Sequence, residues 1–83
     1  MKPIINLNGQ SAAVHVADRR KAIDALQAAF TAVAALRPHG RDYPGADEQY
    51  TTDLAEHTKW LDYLNLIERD VMQDALAIQK GNV

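Results

Sequence analysis

The chain has 83 residues, a net charge of −2 and no cysteine. At this length it forms one domain at most, and neither disulfides nor thiolate-bound metals can support its small core. Self-association is the remaining support, so we expect a homo-oligomer. No stretch approaches the ~18 apolar residues of a membrane span, and the first ten residues do not have the pattern of a signal peptide, so we expect a cytoplasmic protein.

The charge is distributed unevenly along the chain. Residues 1–41 hold six Lys or Arg and two Asp, whereas residues 42–83 hold three Lys or Arg and nine Asp or Glu. A basic helix and an acidic helix can lie together within one chain or between subunits. Nucleic acid is a weaker interpretation, because the basic residues are few and the acidic half would repel phosphates.

The first half of the chain predicts a short arm and then a long helix. Residues 1–10 form the arm, in which PIINL has strand-forming residues. A helix is predicted over residues 12–36, with Ser11 as its N-cap, because this segment has ten Ala and neither Gly nor Pro. Its larger apolar residues recur mostly at three- and four-residue spacing, which predicts one apolar face. These residues are Val16, Ile23, Leu26, Phe30, Val33 and Leu36.

Residues 37–46 are predicted to form a turn. Pro38 disfavours helical geometry in the residue before it, and Gly40 can adopt the left-handed conformation that closes a helix end. Pro44–Gly45 is a second turn signal. Asp47 is then expected at the N-cap or in the first turn of the next helix, where negative charge is favourable.

The second helix is predicted over residues 47–79 and has a wide apolar face. One stripe at helical spacing contains Tyr50, Leu54, His57, Leu61, Leu64, Val71, Ala75 and Ile78. An overlapping stripe contains Trp60, Leu64, Ile67 and Val71. The predicted fold is therefore all-α, a long antiparallel αα-hairpin with a short N-terminal arm. One hairpin cannot cover both stripes, so we expect a homo-oligomeric bundle, with two hairpins forming four helices as the simplest case.

The turn is the leading candidate binding site. RPHGRDY places Arg37, His39, Arg41 and Tyr43 around Gly40. Arginine forks bind phosphate or carboxylate in bidentate fashion, and glycine lets backbone amides approach a ligand. This cluster suits an anionic ligand, with Tyr43 stacking on a base or bonding a phosphate oxygen.

A purely structural role for the same cluster is the alternative. Arg37 and His39 could satisfy carbonyls at the C-terminus of the first helix, where positive charge is favourable. Arg41 would then pair with a carboxylate of residues 42–48. The residue types in the turn leave both interpretations open.

Three residues of the second helix are candidates for partner contacts. Trp60 and Tyr63 would serve as exposed anchors for a protein, and core packing is the alternative typical of Trp. His57 lies on the apolar stripe and is expected to be a hydrogen-bonded interface histidine. Asp53 and His57 share a helix face, but two ligands are too few for a metal site, so no metal is expected.

No pattern in the chain indicates catalysis. Ser11 is the only serine, and the four threonines lie in no nucleophile motif. There is no phosphate-binding loop and no dinucleotide fingerprint, so we expect neither enzymatic activity nor a cofactor. The basic run DRRK, residues 18–21, fits a solvated helix face or a patch for an acidic partner, including the second helix of another subunit.

Three short motifs carry a resemblance to a known group of proteins. LNGQS at residues 7–11, PHGRDY at residues 38–43 and EH at residues 56–57 resemble small uncharacterised helical proteins of tailed bacteriophages and prophages. Gln10 and Pro44 depart from the group's pattern, which has Thr and Tyr there. The resemblance implies a phage origin and this fold. By analogy with other small helical phage proteins, it also implies a binding protein that sequesters a nucleotide-like signal of host defence or inhibits a host protein.

Overall fold

Two long helices make up most of the residues that the structure describes. The computed structural model describes residues 9–81, and side chains from Ala12 onward. Helix α1 spans Gly9–Ala34 and helix α2 spans Asp47–Gly81, with a short 3-10 turn at Gly40–Asp42 between them. Within these residues the all-α hairpin is confirmed, whereas the strand-forming part of the predicted arm lies outside the described residues.

The limits of helix α1 lie two to three residues before the predicted ones, residues 12 and 36. It begins at Gly9, so Ser11 lies inside the helix and the predicted N-cap is wrong. It ends at Ala34, because the hydrogen-bond pattern changes there. The amides of Leu36 and Arg37 donate to the carbonyls three residues earlier, which makes a tighter turn than an α-helix. This tightening before Pro38 turns Leu36 out of the apolar face, and its side chain is exposed.

The two helices pack antiparallel along one stripe of each. Arg19 Nε donates to Asp74 Oδ2 at 2.8 Å, and Gln27 Nε2 donates to Glu68 Oε1 at 2.8 Å. The basic first helix therefore pairs with the acidic second helix within one chain. The predicted α2 stripe from Tyr50 to Ile78 is buried or half-buried along its whole length, which confirms that it faces α1.

The hairpin is a rod with very little interior. It measures 63 × 16 × 13 Å and has a radius of gyration of 18.6 Å, whereas a compact domain of this length has about 12 Å. Its accessible surface is 6431 Å², about 1,500 Å² more than the roughly 4,900 Å² of a folded monomer of this mass. Among the described side chains, only those of Ala12, His57, Ala75 and Ile78 are buried.

Several large apolar side chains of α2 remain exposed. Trp60 is 45 % exposed and Tyr63 is 59 % exposed within one hairpin, so Trp60 is not a core residue of the single chain. Trp60 lies at the edge of the contact with α1, because the stripe that faces α1 is centred on His57 and Ala75. The second predicted stripe is thus partly uncovered.

Candidate functional site

The hairpin tip, residues 35–46, is built from two consecutive tight turns. In the first, the Asp42 amide bonds the His39 carbonyl and the Tyr43 amide bonds the Gly40 carbonyl, both at 3.0 Å. Gly40 does not adopt a left-handed conformation, so its predicted role as the helix-closing residue is wrong. It instead starts the 3-10 turn.

The second turn uses the Pro-Gly pair as predicted. The Ala46 amide bonds the Tyr43 carbonyl at 3.0 Å, and Gly45 has a φ of 70°. Proline followed by a glycine of positive φ is the pattern of a type II turn. The Ala46 carbonyl then accepts the first hydrogen bond of α2, from the Tyr50 amide. Asp47 therefore lies in the first turn of α2, which is one of the two positions predicted for it.

A small network fastens the tip to the first turns of α2. The Tyr43 hydroxyl donates to Asp53 Oδ2 at 2.7 Å, and Gln49 Nε2 donates to Asp53 Oδ1 at 2.7 Å. The rings of Tyr43 and Tyr50 lie 5.4 Å apart and are tilted by 44°. The tip is therefore a braced loop, and Gly40 lies beside the Tyr50 ring.

This network changes the chemistry of Tyr43. Its pKa is raised above the ordinary 10.0, first because its hydroxyl donates to the Asp53 carboxylate and then because of partial burial. Ionisation would break that bond and place two negative charges together. The Tyr43 hydroxyl is thus occupied inside the protein, and its ring is the part left to contact a ligand.

The three basic side chains of the tip are exposed and unpaired. Arg37, His39 and Arg41 have no side-chain hydrogen bond or ion pair with any other described residue. The alternative in which Arg37 and His39 satisfy carbonyls of α1 while Arg41 pairs with a carboxylate of residues 42–48 is therefore wrong. Five donors on each guanidinium stay free for a ligand.

The structure separates the three candidate partner residues of α2. His57 is buried, and its Nε2 lies 2.8 Å from the Val33 carbonyl oxygen. A carbonyl oxygen only accepts, so Nε2 carries the proton. Trp60 and Tyr63 instead border a shallow groove of about 640 Å³ on the outer surface of α2. His57 therefore serves the contact between the helices, and only the two aromatic residues face outward.

Neither a metal site nor an activated nucleophile appears among the described residues. No group of three or more His, Asp or Glu is placed to hold a metal ion there, and Asp53 is occupied by Tyr43 and Gln49. Each threonine hydroxyl donates to the carbonyl four residues earlier in its helix. These are local helix bonds, and none of them involves a general base.

Two polar contacts are not evident in the sequence. Arg19 belongs to the DRRK run, yet it is largely buried against Asp74, so the solvated-face interpretation holds only for Asp18, Arg20 and Lys21. Asp53, a candidate metal ligand in the sequence, instead braces Tyr43. The spacing of Gln49 and Asp53 was the one sequence signal of that brace, because residues four apart on a helix are neighbours.

Comparison with known proteins adds no relative. No protein-family model matches the chain, and it has no significant match among the curated proteins or the solved structures. Within the span that the structure describes, neither helix combines the length and apolar character that crossing a bilayer requires.

Proposed function

We propose that this protein is a non-enzymatic binding protein, an oligomer of helical hairpins whose tips bind an anionic, phosphate-bearing small molecule. The observation that carries this proposal is the set of three unpaired basic side chains, Arg37, His39 and Arg41, on one braced loop. A braced loop loses less backbone entropy on binding an oxyanion than a loose loop does, and each planar guanidinium presents its donors in a fixed fork.

The surroundings of the tip limit how the ligand is recognised. Asp47 and Glu48 occupy the first turn of α2, beside the basic cluster. Their charges weaken long-range attraction of an anion, so binding relies on short bidentate bonds from Arg37 and Arg41. A ligand with a base would gain further contact on the Tyr43 ring. A nucleotide fits this combination, in keeping with the resemblance to phage proteins.

Thermal unfolding with nucleotides tests the proposal. With ATP or AMP at about 100 times the dissociation constant, linkage stabilises the folded state by about 2.7 kcal/mol. The double variant Arg37→Ala/Arg41→Ala should lose this shift, while Arg20→Ala/Arg69→Ala, which removes the same charge elsewhere on exposed helix surface, should keep it. Equal shifts in both variants would place the site elsewhere, and no shift with any nucleotide or with pyrophosphate would refute the function.

A second candidate function is a protein-interaction module that inhibits or adapts a host protein. The exposed Trp60 and Tyr63 beside the groove on α2 favour it, since aromatic residues dominate binding energies at interfaces. It predicts a bound host protein that is lost when exposed carboxylates of α2 are neutralised, without stabilisation by nucleotides. A phage structural or assembly component would instead be found in purified virions.

A further inference from the structure

The two flat sides of the hairpin differ in character. The Arg19–Asp74 ion pair fixes the register of the antiparallel helices on one side. One heptad further along α1, and one heptad back along α2, the same register sets Leu26 opposite Ile67. The residues that the same register places in line with this pair form an apolar strip. We call it the Trp60 face, and its residues are Ala22, Leu26, Ala29, Val33, Trp60, Leu64, Ile67 and Val71.

The opposite side is mixed, with polar groups among its apolar residues. The bond from Gln27 to Glu68 crosses it, and a groove of about 390 Å³ there is bordered by Arg20, Asp24 and Gln79 as well as by apolar residues. A partner docking on this side would have to desolvate charged and amide groups. The eight residues of the Trp60 face carry no such groups, so burial costs less there.

We infer that the Trp60 face is covered by a second copy of this chain, packed antiparallel to the first. The chain exposes about 1,500 Å² more than a folded monomer of its mass, and obligate dimers bury about 1,000–2,500 Å² per partner. This excess of exposed surface is of the size that each partner of a stable dimer buries. Ala22 and Ala29 leave room beside Trp60 and Ile67 for a close approach of the second hairpin.

The charge along the rod selects the antiparallel direction. In the tip third, residues 34–59, three basic and five acidic residues give −2. In the base third, residues 9–21 and 72–81, four basic and two acidic residues give +2. Parallel packing would stack like charges at both ends, whereas antiparallel packing sets each acidic end beside a basic one. The Trp60 face lies midway between the two ends, so the antiparallel copies overlap along their full length.

The proposed function includes an oligomer of hairpins, and the antiparallel dimer specifies that oligomer. The dimer rests on the proposed function only for the expectation that the protein self-associates. An antiparallel dimer keeps its two tips at opposite ends, so each tip offers a separate anion site. Loss of the dimer and loss of anion binding are thus read by different measurements. A dimer without nucleotide binding would refute the tip site alone, and nucleotide binding by a monomer would refute the dimer alone.

Sedimentation equilibrium of the full chain at micromolar concentration is the first test. We expect a dimer that Ile67→Glu weakens at least about 100-fold, because a carboxylate would be buried in the interface. Leu66→Glu is the matched control, since Leu66 is equally exposed but lies on the outer surface of α2. A monomeric wild type would overturn the inference. So would dissociation by Leu76→Glu instead, because Leu76 borders the groove on the opposite side.

A distance measurement covers the case in which Ile67→Glu fails to fold. The chain has no cysteine, so Thr51→Cys carries a single spin label near the tip end of each α2. Residue 51 lies about 22 Å along the axis from the centre of the Trp60 face, so antiparallel copies hold the labels about 45 Å apart. Parallel copies hold them less than about 25 Å apart. A distribution at the shorter distance, or no dipolar coupling at all, would overturn the inference.

Discussion

His57 donates a hydrogen bond from Nε2 to the backbone carbonyl of Val33, at 2.8 Å, across the hairpin. That carbonyl also accepts the amide of Leu36, so it carries two bonds at the end of α1. Among the described side chains, His57 is the one polar group that is buried. The bond ties the last turn of α1 to α2 near the tip, as the Arg19–Asp74 ion pair does near the base.

Replacing His57 should therefore destabilise the hairpin. His57→Ala removes the bond to Val33 and leaves a space between the helices, which costs about 2 kcal/mol of unfolding free energy. Urea unfolding at a fixed protein concentration measures the change, since self-association makes the midpoint depend on concentration. Lys59→Ala, an exposed position two residues further on, is the control. Equal midpoints for the two variants would show that the bond contributes nothing.

The bond between Tyr43 and Asp53 should appear as a delayed ionisation. The pKa of Tyr43 is raised above 10.0 by this bond, so its stabilising contribution is fully present below about pH 10. It is lost as pH rises through the raised folded-state pKa. Absorbance titration of the three tyrosines should show one late step, which Tyr43→Phe removes and Asp53→Asn moves to lower pH. A late step that disappears in Tyr63→Phe instead would contradict the assignment.

The ion pair of the base should govern acid unfolding. The pKa of Asp74 is lowered from 3.8, chiefly because Arg19 donates a hydrogen bond to its carboxylate. The stabilisation is therefore present above about pH 4 and is lost as pH falls through the lowered pKa. Arg19→Met should raise that pKa and move acid unfolding, followed by circular dichroism, to higher pH. Arg20→Met, on the exposed neighbour, should leave the acid midpoint unchanged; a shift as large as that of Arg19→Met would mean that overall charge is responsible.

The hairpin itself could be predicted because its signals are local. Two long segments with helical apolar spacing flank a Pro- and Gly-rich turn, and the predicted α2 stripe proved to face α1. The end of α1 was harder to predict, because Ala35 and Leu36 favour helix by propensity while the approach to Pro38 ends it. Propensity and chain geometry compete at that boundary, and the geometry prevails.

The contacts between helices could not be predicted, because they depend on register. Arg19 and Asp74 are 55 residues apart, and their meeting is set by the length of the tip and by packing. The exposure of Trp60 follows from the same register. Its residue type favours a core position, but the register places Trp60 at the edge of the contact between the two helices. At the candidate site, the basic residues could be identified from their types. The hydrogen bond from Tyr43 to Asp53 could not be predicted, because it depends on how the tip folds.

The two glycines of the tip should respond differently to alanine. Gly45 has open space around it but a φ of 70°, a conformation that costs a residue with a Cβ about 1–2 kcal/mol. Gly40 has no such backbone, and a Cβ there would meet the Tyr50 ring at 3.6 Å, an ordinary contact distance. Urea unfolding should therefore show Gly45→Ala destabilised by about 1 kcal/mol, with Gly45→Asn closer to wild type because Asn tolerates this region. Gly40→Ala should stay within about 0.5 kcal/mol of wild type, because it also restricts the unfolded chain. A larger loss at Gly40 than at Gly45 would mean that close packing on Tyr50, and not backbone conformation, requires glycine in this loop.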